Sequence, residues 1–263
     1  MTNPVDGSNV HSDWVTVLTT VPSLPLPPNS ERIAFETERL IIRPLAEDDL
    51  PALYELRTQP EVMRNTKAAV IDPSIDFTRE RLTPFLTPND ARTFNCAICS
   101  REAGDNKLIG IGGVHIFHSD FGWPELGYMF SSAHWGKGFA TEFVRGFVQL
   151  YSKLPRPDTP QPLRVTRGTL PADLAAKAGP GTDEKGDYDM EALARTVTAN
   201  TVVVDEKLTA IVTVRNNESN RVVTKSGFKV FMQFVEEDRR MPGSGLDITL
   251  NVYEFLPSKK ASE

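Results

Sequence analysis

Cysteine is nearly absent from this sequence: Cys96 and Cys99 are the only two. No disulfide framework can be built from them, and a reducing, intracellular home is the expectation, with a cytoplasmic location. A long hydrophobic run is missing as well. No stretch of about 18 apolar residues occurs, so no transmembrane helix is expected. Nor do the first residues follow the basic, apolar, small-residue order of a secretory signal. Excess positive charge is the third absence. Lys and Arg number 29 against 35 Asp and Glu, a formal net charge of −6. That balance weighs against nucleic acid, whose phosphates need clustered cations, and is compatible with a cationic substrate. What is there is a chain of 263 residues, 40% hydrophobic and 24% charged. Such a composition is ordinary for a soluble globular protein with a substantial core.

The two cysteines form C-x-x-C within FNCAICS. A redox pair wants its first cysteine at a helix N-terminus, where the dipole lowers the thiol pKa. Here the flanking Phe94, Ala97 and Ile98 read as strand, and strand positions three apart face opposite sides. That arrangement suits neither a disulfide nor a shared metal. Core packing is the expectation, and no metal site is expected.

Residues 1–34 are polar and then proline-rich (VPSLPLPPNS), and are expected to form a flexible tail. A single domain over 35–256 follows, interrupted by an insertion at about 155–206, with a second tail at 257–263. TERLIIRPL reads as a strand. AEDDLPALYELRTQPEVM opens on a negative first turn and lines up Leu50, Leu53 and Leu56. A second helix is predicted over about 75–86. Three strand-like runs come next, TFNCAICSR, KLIGIGGVHIFH and PELGYMFSS, with links short enough for antiparallel neighbours. Ala140, Phe143, Phe147, Leu150 and Leu154 then fall at helical spacing. From 155 to 206 the pattern breaks into loop-like pieces around one helical stretch, DMEALARTVTA. Structureless loops of that length are rare inside a domain, hence the insertion. LTAIVTV, ESNRVVTKSG, KVFMQFVEE and DITLNVYEF complete a strand, a helix and two strands. The order β-α-α-β-β-β-α, insertion, β-α-β-β describes an α+β chain built on one mixed sheet.

Within it, HWGKGFATEF at 134–143 places two glycines at a helix start that has no Asp or Asn cap. A strand, a glycine turn and a helix N-terminus together make an anion site, because the first helical N–H groups lack intrahelical partners. Glycines keep side chains out of the way, and Lys137 adds a cation. The spacing separates the ligand classes. A nucleoside-triphosphate loop needs four residues between its glycines and a Lys-Ser/Thr ending, which are missing. The dinucleotide fingerprint fails too: its nearest approach, GIGGVH from Gly110 to His115, lies in mid-strand.

GYMFSSAHWGKGFATEF resembles the pyrophosphate-binding motif of the GCN5-related N-acetyltransferase (GNAT) superfamily. Trp135 stands where that motif has Arg or Gln, followed by Gly136, Lys137, Gly138, Phe139 and Ala140. TERLIIRPLAEDD and NNESNRVVTKSGFKV are similar to two further segments of its ribosomal-protein N-terminal acetyltransferase branch (RimJ/RimL-like). The resemblance covers about 35–153 and 207–256. It implies the GNAT fold, a central, mostly antiparallel twisted sheet of about seven strands, splayed at the middle and flanked by helices. It also implies acetyl-CoA as cosubstrate and direct attack of a primary amine on the thioester. The pyrophosphate would rest on the N–H groups of Gly136, Lys137, Gly138, Phe139, Ala140 and Thr141, beside Trp135. Met129, Phe130 and Ser131 would offer backbone groups to the pantetheine, with plain core packing the alternative for Met129 and Phe130. Asn216 and Ser219 would either cap the next helix or touch pantetheine or thioester. The implied partner is an amine-bearing acceptor, a protein N-terminus or a small molecule, with neither nucleic acid nor membrane, and with the chain a monomer or homodimer.

One departure stands out. Many relatives carry a tyrosine four residues before the Gly-Phe pair, as acid for the departing thiolate; here Val223 holds that place. Ser219 or a water would stand in, or the thiolate would leave unassisted. For the base, Glu125 is the first choice, at the start of the strand leading to the cofactor site, with a strand-end surface charge as its alternative. His115 and His118 follow as candidates, while Glu142 reads as a first-turn charge favourable to the helix dipole. Two rival readings stay open: a non-catalytic acyl-CoA-binding or regulatory protein, and an insertion serving as a partner-binding arm.

Overall fold

The strand-like runs pair edge to edge as the alternation of their apolar residues requires. A computed structural model describes residues 5–6, 12–67, 69–102, 106–179, 190–238, 240–241 and 244–257. Its strands are β1 (Val5–Asp6), β2 (Trp14–Thr19), β3 (Phe35–Glu36), β4 (Leu40–Pro44), β5 (Phe94–Ser100), β6 (Leu108–Ile116), β7 (Glu125–Phe130), β8 (Gln161–Thr166), β9 (Leu208–Thr213), β10 (Lys229–Glu237) and β11 (Asp247–Phe255). The helices are α1 (Leu50–Arg57), α2 (Pro60–Met63), α3 (Ile75–Leu82), α4 (Phe139–Ser152), α5 (Ala172–Ala175), α6 (Met190–Arg195) and α7 (Asn217–Lys225). Among the described residues none of them is long and apolar enough to cross a membrane.

The main sheet runs β1-β10-β11-β9-β7-β6-β5-β4-β3. Seven of these strands are the runs read from the sequence; β1 and β3 add two residues each at the edges. Neighbours are antiparallel except at two places, β1 beside β10 and β7 beside β9. α4 and α7 pack on one face, where Phe143, Val144, Phe147 and Tyr151 meet Leu40, Ile42, Phe94 and Ile98. α1 and α3 cover the other, Leu53, Leu56 and Leu82 lying on Ala97, Cys99 and Ile111. Each such large apolar side chain, fully buried, contributes about 1.5–3 kcal/mol. Cys96 and Cys99 fall on opposite faces, both free and buried. Burial pushes the Cys96 thiol up to about 12 and raises Cys99 as well, so neither is a reactive thiolate.

The N-terminal expectation needs correcting. Residues 14–19 are not a loose tail: β2 pairs antiparallel with β8, from Trp14↔Thr166 to Thr19↔Gln161. Val15 and Val17 flank Thr16, and both are fully buried against Phe121, Trp123, Leu163 and Val165. This two-stranded layer packs on Met232 and Phe234 of β10 and Val252 of β11. The supposed insertion thus has a partner in the segment before the domain. The predicted helix over 75–86 ends at Leu82 and continues as a 3-10 turn, Thr83–Phe85, where Pro84 cannot extend an α-helix. Parts of both tails (1–4, 7–11 and 258–263) and residues 180–189 of the insertion lie outside the described residues.

Both ends of the inserted stretch are fixed by buried charge. The Tyr151 hydroxyl donates to Glu206 Oε1 at 2.7 Å and Arg156 Nε to Oε2 at 2.8 Å. Next to them Lys207 Nζ donates to the Thr169 carbonyl at 2.7 Å and pairs with Glu254 at 2.6 Å. Removing one partner from such a buried pair costs about 3–5 kcal/mol, so the chain re-enters β9 at a fixed point.

Candidate active site

β7 and β9 run parallel, yet share a single register pair, Glu125↔Thr209. Thr209 donates to the Pro124 carbonyl with both its N–H and its hydroxyl, each at 2.9 Å. Beyond that point the strands part, and a cavity of about 670 Å³ opens along the split. Its walls include Glu125, Tyr128 and Met129 of β7, Ala210 and Val212 of β9, and Ser219 and Val223 of α7, with Asn216 at the cap. His115 of β6 and Lys67 line it too.

Strand parity decides which backbone groups face the gap. The Ser131 N–H donates to the Ile109 carbonyl at 2.8 Å. By alternation, Gly127 and Met129 also turn their N–H and C=O toward β6, whereas Tyr128 and Phe130 turn theirs toward the split. The expectation that Met129, Phe130 and Ser131 all offer backbone groups is therefore corrected: Met129 and the Ser131 N–H serve the ladder. The Phe130 carbonyl is taken as well, accepting from Trp135 Nε1 at 2.8 Å. Tyr128, and the N–H of Phe130, are left for a ligand. The Met129 side chain lines the cavity and Phe130 packs in the core against Phe143.

At the end of β7 the chain turns through a 3-10 segment, Ser132–His134, into α4. Gly136 and Gly138 take φ of +72° and +86°, the left-handed region where a side chain is strained. Gly138 is the N-cap residue and supplies no side-chain cap. A Cβ at Gly136 would meet nothing within 4 Å, and at Gly138 only Arg39 Nη2 at 3.4 Å. The space over the helix start is open, and the N–H groups of Phe139, Ala140 and Thr141 begin a helix of 14 residues. Lys137 stands between the glycines. An uncapped helix start with clearance above it suits a pyrophosphate.

Glu142 does more than complement the dipole. Its Oε1 accepts from the Arg39 N–H at 2.7 Å and the Thr37 hydroxyl at 2.6 Å, and its Oε2 accepts from Arg39 Nε at 2.8 Å. Arg39 Nη1 then donates to the Lys137 carbonyl at 3.0 Å, and the guanidinium lies 4.5 Å over the Phe139 ring. Burial pulls the Glu142 carboxyl upward, but these hydrogen bonds outweigh it and hold it below its ordinary value. The glycine loop is thereby tied to the turn before β4.

At the other end of the split, Glu125 is only 20% exposed. Burial pushes its carboxyl up to about 7, against the pull of Lys67 and with help from Asp120. Lys67 and Asp120 themselves pair at 3.0 Å across the mouth. His115 Nε2 lies 3.8 Å from Glu125 Oε1, beyond hydrogen-bond reach, and burial lowers its pKa so that it is neutral near pH 7. His118 does not line the cavity; burial and then Arg92 push it down to about 4. Asn216 caps α7, accepting from the Ser219 N–H at 3.0 Å, and the residue lines the cavity. Val223 is fully buried.

Three residues went unseen in the sequence. Arg39 is one. Asn220 is another: its Nδ2 donates to the carbonyls of Thr213, Val214 and Asn216, and its Oδ1 accepts from Asn251 Nδ2 and the Tyr253 hydroxyl. It thereby locks the first turn of α7 to β9 and β11, which sets Ser219 at the gap. The third is Tyr128, whose hydroxyl is buried without a hydrogen-bond partner among the described residues. Such an orphan costs about 1–3 kcal/mol. Its one available signal was the tyrosine's place in GYMF, on the strand ahead of the glycine loop.

The family model described as "Acetyltransferase (GNAT) domain" matches residues 39–229, more than half of the chain, and the chain belongs to that family. Its fold and split sheet are those of the GNAT class. A curated relative, an uncharacterized N-acetyltransferase p20 of Bacillus licheniformis, is 29% identical over 117 residues. That alignment covers 43% of this chain and 62% of the relative, so the chain spans less than two thirds of the relative's length. Among solved structures, spermidine N-acetyltransferase from Vibrio cholerae, in complex with CoA and spermine, superposes with a TM-score of 0.54 at 15% identity. It covers 86% of this chain and 99% of its own. Ribosomal-protein-S5-alanine acetyltransferase from Vibrio fischeri gives 0.54 at 14%, covering 86% and 97%. A RimL ribosomal L7/L12 alpha-N-protein acetyltransferase in complex with coenzyme A gives 0.54 at 12%, covering 85% and 98%. At these identities the likeness establishes the fold.

Proposed function

We propose that this protein transfers the acetyl group of acetyl-CoA directly to a primary amine, on a protein N-terminus or on a small molecule. The observation that carries the reading is the parted pair β7 and β9, with an open helix start at one end and the raised carboxyl of Glu125 at the other. The solved relatives that hold CoA, and in one case spermine, support it.

Acetyl-CoA supplies an activated acyl group; the chain supplies placement and proton handling. The N–H groups of Gly138 to Thr141, with Lys137 beside them, hold the pyrophosphate. The outward edge of Tyr128 and Phe130 takes the pantetheine amides. Fixing both partners in one gap turns an encounter into a local reaction. An amine enters as an ammonium and is inert until it loses a proton. Glu125, titrating at about 7, is matched to that task at neutral pH, directly or through a water. Neutral His115 beside it adds no competing positive charge.

The test is release of CoA from acetyl-CoA with two acceptor panels, peptides with free N-termini and polyamines. Amine-dependent release with either panel is expected. Tight acetyl-CoA binding with no release to any amine would leave a binding protein in place of an enzyme.

A further inference from the structure

The Tyr128 hydroxyl is buried and unpartnered, yet its residue lines the cavity. Packing fixes the ring: it stands edge-on to Phe143 and Phe130, with centroids 6.4 and 6.3 Å away. It crosses the sheet from Gly112, where an added Cβ would meet the Phe143 ring at 2.7 Å and Tyr128 Cβ at 2.8 Å. A phenylalanine would satisfy all of that packing, so the hydroxyl has no structural partner to justify it. The same cavity is lined by Ala210, Val212 and Val223. Ser219 brings another hydroxyl to the cavity wall; it stands near enough to lower the Tyr128 pKa, yet the Tyr128 hydroxyl makes no hydrogen bond among the described residues.

We propose that the Tyr128 hydroxyl donates a hydrogen bond to the sulfur of acetyl-CoA as that sulfur leaves, a role that rests on the acetyl-transfer reading above. The donor comes from β7, opposite the α7 position where Val223 has none to give. When the amine nitrogen bonds to the carbonyl carbon and the carbon–sulfur bond breaks, the electron pair goes to sulfur. Tyr128 stabilises that thiolate without surrendering its proton. Burial pushes the phenol up to about 12, well above a thiol at about 8.5, so full transfer runs uphill. The proton that finally makes the thiol is the second one shed by the amine nitrogen, relayed by solvent; Glu125 has taken the first.

Tyr128→Phe tests this without disturbing the packing. Thiolate absorbance of bound CoA, titrated against pH, gives the thiol pKa on the protein. It is expected to lie below that of free CoA and to rise by about one unit in the variant, while CoA affinity stays within about twofold. With acetyl-CoA and an accepted amine, kcat is expected to fall about 10–100-fold at unchanged KM. The melting temperature should not drop, since the hydroxyl has no partner to lose. An unchanged thiol pKa with CoA still bound overturns the assignment, and with a reduced kcat it moves the hydroxyl to the carbonyl oxygen. A pKa rise in Ser219→Ala but not in Tyr128→Phe makes Ser219 the donor. Wild-type protein that binds no CoA removes the underlying reading altogether.

Discussion

Glu125 and Thr209 form the one register pair that joins β7 to β9, and the Glu125 carboxyl is also the group burial holds at about 7. The strand junction and the proposed proton acceptor are the same residue. A split sheet needs a last shared rung, and whatever stands on it is pressed between two strands and shielded from water. Desolvation at the apex of the gap is therefore built into the topology.

Glu125→Gln keeps the size and removes the titration. The wild-type rate is expected to rise with pH through about 7, as the carboxylate forms, and the variant to lose that limb with kcat reduced by about 10²–10³. Stability carries the opposite sign. The folded pKa lies above the unfolded value, so the native state binds the extra proton between about 4.5 and 7. Stability falls as pH rises through that window, by at most on the order of 3 kcal/mol. Melting curves from pH 4.5 to 8 should show Glu125→Gln gaining on wild type as pH rises. A constant gap across the series would contradict the raised carboxyl.

Glu142→Ala removes three hydrogen bonds, two from Arg39 and one from Thr37. Arg39 then loses the anchor that steers it to the Lys137 carbonyl. We expect a loss of about 2–4 kcal/mol in stability and about tenfold weaker acetyl-CoA binding. Calorimetry and chemical denaturation check both. A variant with normal affinity would mean the glycine loop holds its shape unaided.

Asn220→Ala breaks five side-chain hydrogen bonds, of which those with Thr213, Asn251 and Tyr253 bind α7 to β9 and β11. A cost of about 2–4 kcal/mol is expected, with kcat falling more than CoA affinity because Ser219 and Val223 sit on the loosened helix. Urea denaturation and steady-state kinetics on the same preparation separate the two effects. Unaltered kinetics in a destabilised variant would confine Asn220 to structure.

Much of this was legible in the sequence, for local reasons. The apolar spacing of Phe143 and Phe147 is a property of one helix, and the alternation in FNCAICS sends Cys96 and Cys99 to opposite faces whatever the rest does. HWGKGFATEF reads as an anion site because helix start, glycines and lysine are contiguous. What stayed hidden depends on residues far apart. Val15 and Val17 lie in a β-branched run, but their partner β8 begins at Gln161 and the prolines between them mask it. Glu142 could be placed in a first turn; nothing in its neighbourhood announces Arg39, 103 positions earlier. Tyr128 looks like any strand aromatic until the strand beside it is seen to leave. Strand parity, which reassigns the backbone of Met129 and Tyr128, requires knowing which neighbour stays.

The central claim is that acetyl-CoA seats its pyrophosphate on the start of α4. Gly138 is the place to ask, because its φ of +86° favours glycine and an added side chain would enter the space over the helix start, beside Arg39 Nη2 at 3.4 Å. Titrating acetyl-CoA into wild type and Gly138→Glu by calorimetry, with melting curves to confirm that the variant folds, is the most direct measurement. Saturable one-site binding to wild type and none to the folded variant is the expected result. Equal affinity in both proteins, or no binding to wild type, would contradict it.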